Sequence, residues 1–138
     1  MYLVDTDVVS EIRKKSKANK GVKQFFKTAI ENNTPVYLSV ITVGELKRGI
    51  EKIRHRGDTR QANLLEKWFD VVLNDYNEQI LNFEIEAAQL WGALRVPHYE
   101  NALDKQIAAT ALLYDLTVVT GNVKHYKNTG VTLHNPFN

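Results

Sequence analysis

A chain of 138 residues with 43% hydrophobic and 25% charged side chains has the length and composition of one globular domain, residues 1–138, and is too short for two. It contains no cysteine, which excludes disulfides and thiolate-held zinc and accords with a reducing, cytoplasmic setting. The net charge of +2 excludes a strongly acidic or basic chain but conceals an uneven distribution. Basic residues gather from Arg13 to Lys27 and again from Lys47 to Arg60, and no Asp or Glu follows Asp115. Such segregation can attract a polyanion, although runs of charge also serve as solvated helix faces. The opening, Met1 to Asp5, lacks the basic and then apolar plan of a signal peptide. No uncharged apolar run approaches the roughly 20 residues of a membrane span, so no membrane association is expected.

Tyr2-Leu-Val reads as a short buried strand ending at Asp5. Gly21 to Asn32 is predicted to be a helix, with Val22, Phe25, Phe26, Ala29 and Ile30 on one face. After the turn signal Asn32-Asn33, Pro35 to Ser39 is a second strand. Val43, Leu46, Ile50 and Ile53 recur at helical spacing, which predicts a helix over Thr42 to Arg54. Gly57-Asp58 breaks the chain, and a long helix follows to about Leu73, with Leu64, Leu65, Trp68, Phe69 and Val72 as its apolar stripe.

Ile80 to Phe83 is a brief strand and Glu84 to Leu94 a helix, closed off by Pro97. Ala102 to Tyr114 is an Ala-rich helix suited to packing on a sheet. Leu116 to Thr120 is an apolar strand, and Val131 to Leu133 is expected to be another. Strands alternating with helices define an α/β domain: a mainly parallel β-sheet flanked by helices on both faces. Ligands of such folds bind outside the carboxyl ends of the strands.

Three carboxylates stand at informative places. Asp5 ends the first strand, Glu45 lies at the border of an apolar helix face, and Asp104 opens the Ala-rich helix. Each also has a plain structural use. Asp5 and Asp104 can cap helices, with Asp7 the better placed cap of the first, and Glu45 can be merely solvated. Converging on one site, the three would repel one another. A hard divalent cation resolves that conflict, and Mg2+ or Mn2+ takes such oxygen ligands and activates water for phosphodiester cleavage.

At these positions the sequence resembles the PIN-domain ribonuclease toxins of the VapC type, close to the FitB-like branch. Leu3-Val-Asp5-Thr6-Asp7-Val-Val-Ser10-Glu11 is similar to the family's opening hhDTNhhSE. Leu38-Ser39-Val-Ile-Thr42-Val-Gly44-Glu45-Leu46 is similar to LSxxTxxEL, and Asp104-Lys-Gln-Ile107-Ala-Ala-Thr110-Ala111 to DxxIAATA. Leu116-Thr-Val-Val-Thr120-Gly121-Asn122 resembles the fourth segment, and Leu81-Asn-Phe83 with Leu90-Trp91 the link between them. The resemblance spans the chain in order. It implies a PIN fold and a Mg2+-dependent endoribonuclease, with Mn2+ as a substitute. Asp5 and Asp104 would be the principal metal ligands, Glu45 would complete the set directly or at one remove, and Asn122 or Thr120 would hydrogen-bond the site. It also implies an RNA substrate, a homodimer, a cognate VapB-type antitoxin, and operator DNA bound only through that antitoxin.

The sequence departs from the pattern in three places: Asp7 replaces the usual Asn, Gly121 a common Arg, and His125 a frequent acid. Without an acid in the loop after Thr120, a single metal ion is the expected count. His125 could donate to a phosphate or be an inert surface residue. Two other readings compete. Val4-Asp5-Thr6-Asp7-Val8 also fits the nucleophile motif of haloacid-dehalogenase-type phosphatases, but those enzymes need an acidic motif after their second segment and none follows Asp115. The missing loop acid also motivates a PIN fold without turnover that binds RNA or a partner.

Overall fold

A computed structural model describes all residues 1–138. Its strands are β1 (Tyr2–Val4), β2 (Val36–Ser39), β3 (Ile80–Leu81), β4 (Thr117–Val119) and β5 (Leu133–His134). Its helices are α1 (Thr6–Ile12), α2 (Lys20–Glu31), α3 (Val40–His55), α4 (Thr59–Asp75), α5 (Ile85–Leu94) and α6 (Ala102–Tyr114). Short 3-10 turns cover Lys15–Lys17 and Val123–Tyr126. The strands form one sheet in the order β3-β2-β1-β4-β5. Every pairing is parallel, so the carboxyl ends of all five strands share one edge.

The period-two alternation of β1 divides the core. Val4 points to a cluster with Val8 and Val9 of α1, Val22 and Phe25 of α2, Leu46 and Ile50 of α3, and Leu65, Phe69 and Val72 of α4. Leu3 points to the opposite face, against Ile107, Ala108 and Ala111 of α6 with Leu116, Val118 and Tyr126. The result is a three-layer α/β sandwich. The alanines of α6 let that helix lie close on β1 and β4, which brings its first turn to the edge where β1 ends.

Local chemistry sets the boundaries. α3 starts earlier than the apolar spacing suggests because Ser39 caps it, its hydroxyl accepting from the Ile41 N–H at 3.0 Å. Asn19 caps α2, its side chain accepting from the Gly21 and Val22 N–H groups. Gly57 takes φ +95° in the turn before α4, a conformation that favours glycine. Two expected strands shift. The third shortens to Ile80–Leu81, and the fifth moves to Leu133–His134 because pairing of Val118 with Leu133 fixes its register. α5 ends at Leu94 as expected, and the Val96–Pro97 peptide bond beyond it is cis.

Candidate active site

Asp5 is the centre of the site. It leaves β1 in extended conformation and caps α1, its Oδ1 accepting from the Thr6 N–H at 2.8 Å. This corrects the expectation that Asp7 would be the cap. Asp5 is only 2% exposed, so its carboxylate depends on protein donors. Oδ2 accepts from the Thr120 hydroxyl and from the Tyr126 phenol, both at 2.9 Å. Thr120 is aimed by its neighbour: the Asn122 N–H donates to Oγ1 at 3.0 Å, which leaves the hydroxyl proton for the carboxylate. Burial, with the charge of Asp5 next to it, pushes the Tyr126 phenol's pKa upward. The phenol therefore stays protonated and keeps donating.

Asp7 lies one turn along, on the other side of Thr120. Its Oδ2 accepts from the Gly121 N–H at 2.8 Å, and Oδ1 stands 3.4 Å from Thr120 Oγ1. Burial and the charge of Asp5 raise its pKa, against the donors Gly121, Val8 and Thr120. Glu45 comes from α3, and its Oε1 accepts from the Thr6 hydroxyl at 2.9 Å. Burial again raises its pKa, with Asp5 and Asp7 adding to the effect and the Thr6 donor and Arg48 opposing it. Asp104 stands in the first turn of α6 but does not cap it, since Asn101 holds the cap position. Its Oδ2 instead pairs with His125 Nδ1 at 2.9 Å. Burial first, then Asp5 and Glu45, push the Asp104 carboxyl up to about 6 against the pull of His125.

The structure therefore brings Asp5, Glu45 and Asp104 into one electrostatic neighbourhood at the carboxyl edge of the sheet. It adds a fourth acid that sequence reasoning assigned to capping. That acid is Asp7, from α1, which stands beside Thr120 and Gly121. Asn122 contributes through its main chain only, and its side chain is solvent-exposed. Thr6 and Tyr126 were missed. The signal for Tyr126 was slight: it is the only Phe, Trp or Tyr between Thr120 and Gly130.

No three of the acidic or histidine side chains stand, as placed, close enough together to hold a metal ion. The donor chemistry nevertheless suits a hard cation. Burial first, then the charge of Asp5, raises the proton affinity of Asp7, Glu45 and Asp104, and the one basic side chain paired with any of these acids is His125. Such a cluster gains from a divalent ion that replaces protons, on modest closure of the side chains.

This fold and acidic edge define a class. The chain belongs to the PIN domain family, whose description "PIN domain" matches residues 2–130. Among its relatives, Toxin FitB of Neisseria gonorrhoeae is 30% identical over 99% of both chains. The crystal structure of FitAcB from Neisseria gonorrhoeae superposes with a TM-score of 0.84 at 30% identity, covering 99% of this chain and 98% of that one. A structure of FitAB bound to an IR36 DNA fragment gives 0.79 at 27% identity, over 100% and 96% of the two chains. Membership in this family over residues 2–130 removes the ground for the phosphatase alternative. No helix is long and apolar enough to cross a membrane.

Proposed function

We propose that this protein is the toxin of a toxin–antitoxin pair and acts as a Mg2+-dependent endoribonuclease. The observation that carries the reading is Asp5, buried at the carboxyl edge of a parallel sheet and held in place by three donors among three further acids. Asp5, Glu45 and Asp104 would hold the ion, with Asp7 adding negative charge beside them. When bound, Mg2+ or Mn2+ supplies Lewis-acid stabilisation of the phosphoryl oxygens and a water of lowered pKa. Thr120 and Tyr126 fix the Asp5 carboxylate, Thr6 turns Glu45 toward it, and His125 holds Asp104 in place. The likeness to Toxin FitB supports a cognate VapB-type antitoxin as inhibitor. The DNA-bound FitAB structure supports operator contact through that complex. A homodimer in the cytoplasm completes the reading.

The test is sequencing of RNA ends after expression of the wild type beside Asp104→Ala, with purified protein assayed in Mg2+ and in EDTA. Cleavage that needs Mg2+ and disappears in the variant is expected. Identical profiles for the two proteins would overturn the mechanism.

A further inference from the structure

The segment Asn135–Asn138, which follows β5, does not drift away from the domain. It crosses from β5 to the start of α2, where Asn19 Nδ2 donates to the Asn138 carbonyl at 3.1 Å. The Asn138 N–H donates back to Asn19 Oδ1 at 3.3 Å. Pro136 is buried, and Phe137 packs on the core cluster beneath α1 and α2. Two glycines make room for this path. At Gly21 a methyl group would overlap the Pro136 carbonyl oxygen, which is backbone and cannot step aside. At Gly121 a methyl group would stand 2.8 Å from Cδ2 and Cε2 of Phe137 and 2.9 Å from Asp7 Oδ2. The Phe137 ring therefore lies directly against Gly121, on the peptide whose N–H holds Asp7.

We propose that Phe137 is a positioning residue of the active site: seated on Gly121 and anchored through Asn138 to Asn19, it holds the Thr120–Gly121 main chain against Asp7. This rests on the reading of the carboxylates as a metal site and deepens it. It explains why glycine stands where an arginine would otherwise reach, because any side chain at 121 must displace either the ring or the carboxylate. The segment supplies no ligand. It fixes the peptide that holds Asp7, the charge beside the ligands.

Two substitutions loosen the segment from opposite ends. Phe137→Ala removes the ring, and Gly21→Ala blocks the seat of Pro136 without touching any acid. The first readout is hydrogen exchange of the Gly121 amide, with the Phe69 amide in α4 as internal reference for global stability. Both variants are expected to exchange at Gly121 about tenfold faster relative to Phe69, the equivalent of one net hydrogen bond. Phe137→Tyr, which keeps the ring, should restore protection. The second readout is Mn2+ affinity by paramagnetic resonance, expected to weaken about tenfold in both variants, as when partners behind metal ligands are lost. Acceleration of Gly121 and Phe69 by equal factors would reduce Phe137 to ordinary core packing and overturn the inference. So would wild-type protection at Gly121, or unchanged Mn2+ affinity in variants of a protein that binds the ion. Selective loss of Gly121 protection in a protein that binds no Mn2+ would uphold the positioning role and refute the metal reading instead.

Discussion

Replacing Asp104 by Asn should make the metal-free protein more stable while destroying its activity. The unfolded carboxyl titrates near 3.8 and the folded one at about 6, and 19% of its side chain is exposed, so solvent screening is limited. An acid whose folded value lies above its unfolded value opposes folding once it ionises. The opposition is absent below about pH 4, grows through pH 6 and is complete above it. Linkage over that interval comes to on the order of 3 kcal/mol, of which about 1.4 kcal/mol develops between pH 5 and pH 7.5. Asn keeps the shape and removes the charge. Urea denaturation of both proteins in EDTA is the assay, with the stability difference followed across that range. The variant should gain on the wild type by about 1–3 kcal/mol at pH 7.5 and by visibly less at pH 5. A variant less stable than the wild type at pH 7.5 would refute the reasoning, because the His125 contact would then outweigh burial and the repulsion from Asp5 and Glu45.

Mg2+ should narrow that gap: at ten times its dissociation constant it stabilises the wild type by about 1.4 kcal/mol, read as a rise in melting temperature that EDTA abolishes and Asp5→Asn lacks. Tyr126→Phe removes a buried donor to a carboxylate and is expected to cost about 1.5–3 kcal/mol in urea denaturation at pH 7, and much less in an Asp5→Asn background, where the acceptor is uncharged. Lys105 is 1% exposed, with its ammonium on the His98 carbonyl and 3.9 Å from Glu100. Lys105→Ala should cost about 2–4 kcal/mol by the same measurement, and Lys105→Met should recover most of it because the stem does the packing.

The layers and three of the four acids were legible in the sequence, and the reasons are local. Apolar spacing marks the buried faces of α2, α3 and α4, and Asp5 declares itself by ending the run Tyr2-Leu-Val at a strand's carboxyl end. Glu45 and Asp104 acquire meaning only from the order of the motifs around them. What escaped depends on contacts between distant parts of the chain. Asp5 and Asp7 both precede or open the same helix, and nothing within that turn says which one caps it. The choice is made by Gly121, 114 residues away, whose N–H takes Asp7. Tyr126 sits among Lys124, His125 and Lys127 and reads as surface until the 3-10 turn Val123–Tyr126 tucks its ring beneath Asp5. Gly121 looked like a defect in a motif because its reason is the ring of Phe137.

The departures at Asp7, Gly121 and His125 form one arrangement. An acid in the loop after Thr120 would face Asp104, where His125 now stands 2.9 Å from its carboxylate. The negative charge of Asp7 lies on the far side of Thr120, where a main-chain N–H receives it. Glycine is needed there twice over, for the close approach of that carboxylate and for the ring that backs the peptide. The cluster thus contains four carboxylates, with Asp104 paired to an imidazole and Asp7 to a peptide dipole. Burial and mutual repulsion of this kind cost a fold stability that it would recover by removing the charge, so acids placed together against that cost are best explained by what their charge binds. The same reasoning gives the opening experiment its force, since the residue that opposes folding in EDTA should be the one through which Mg2+ favours it.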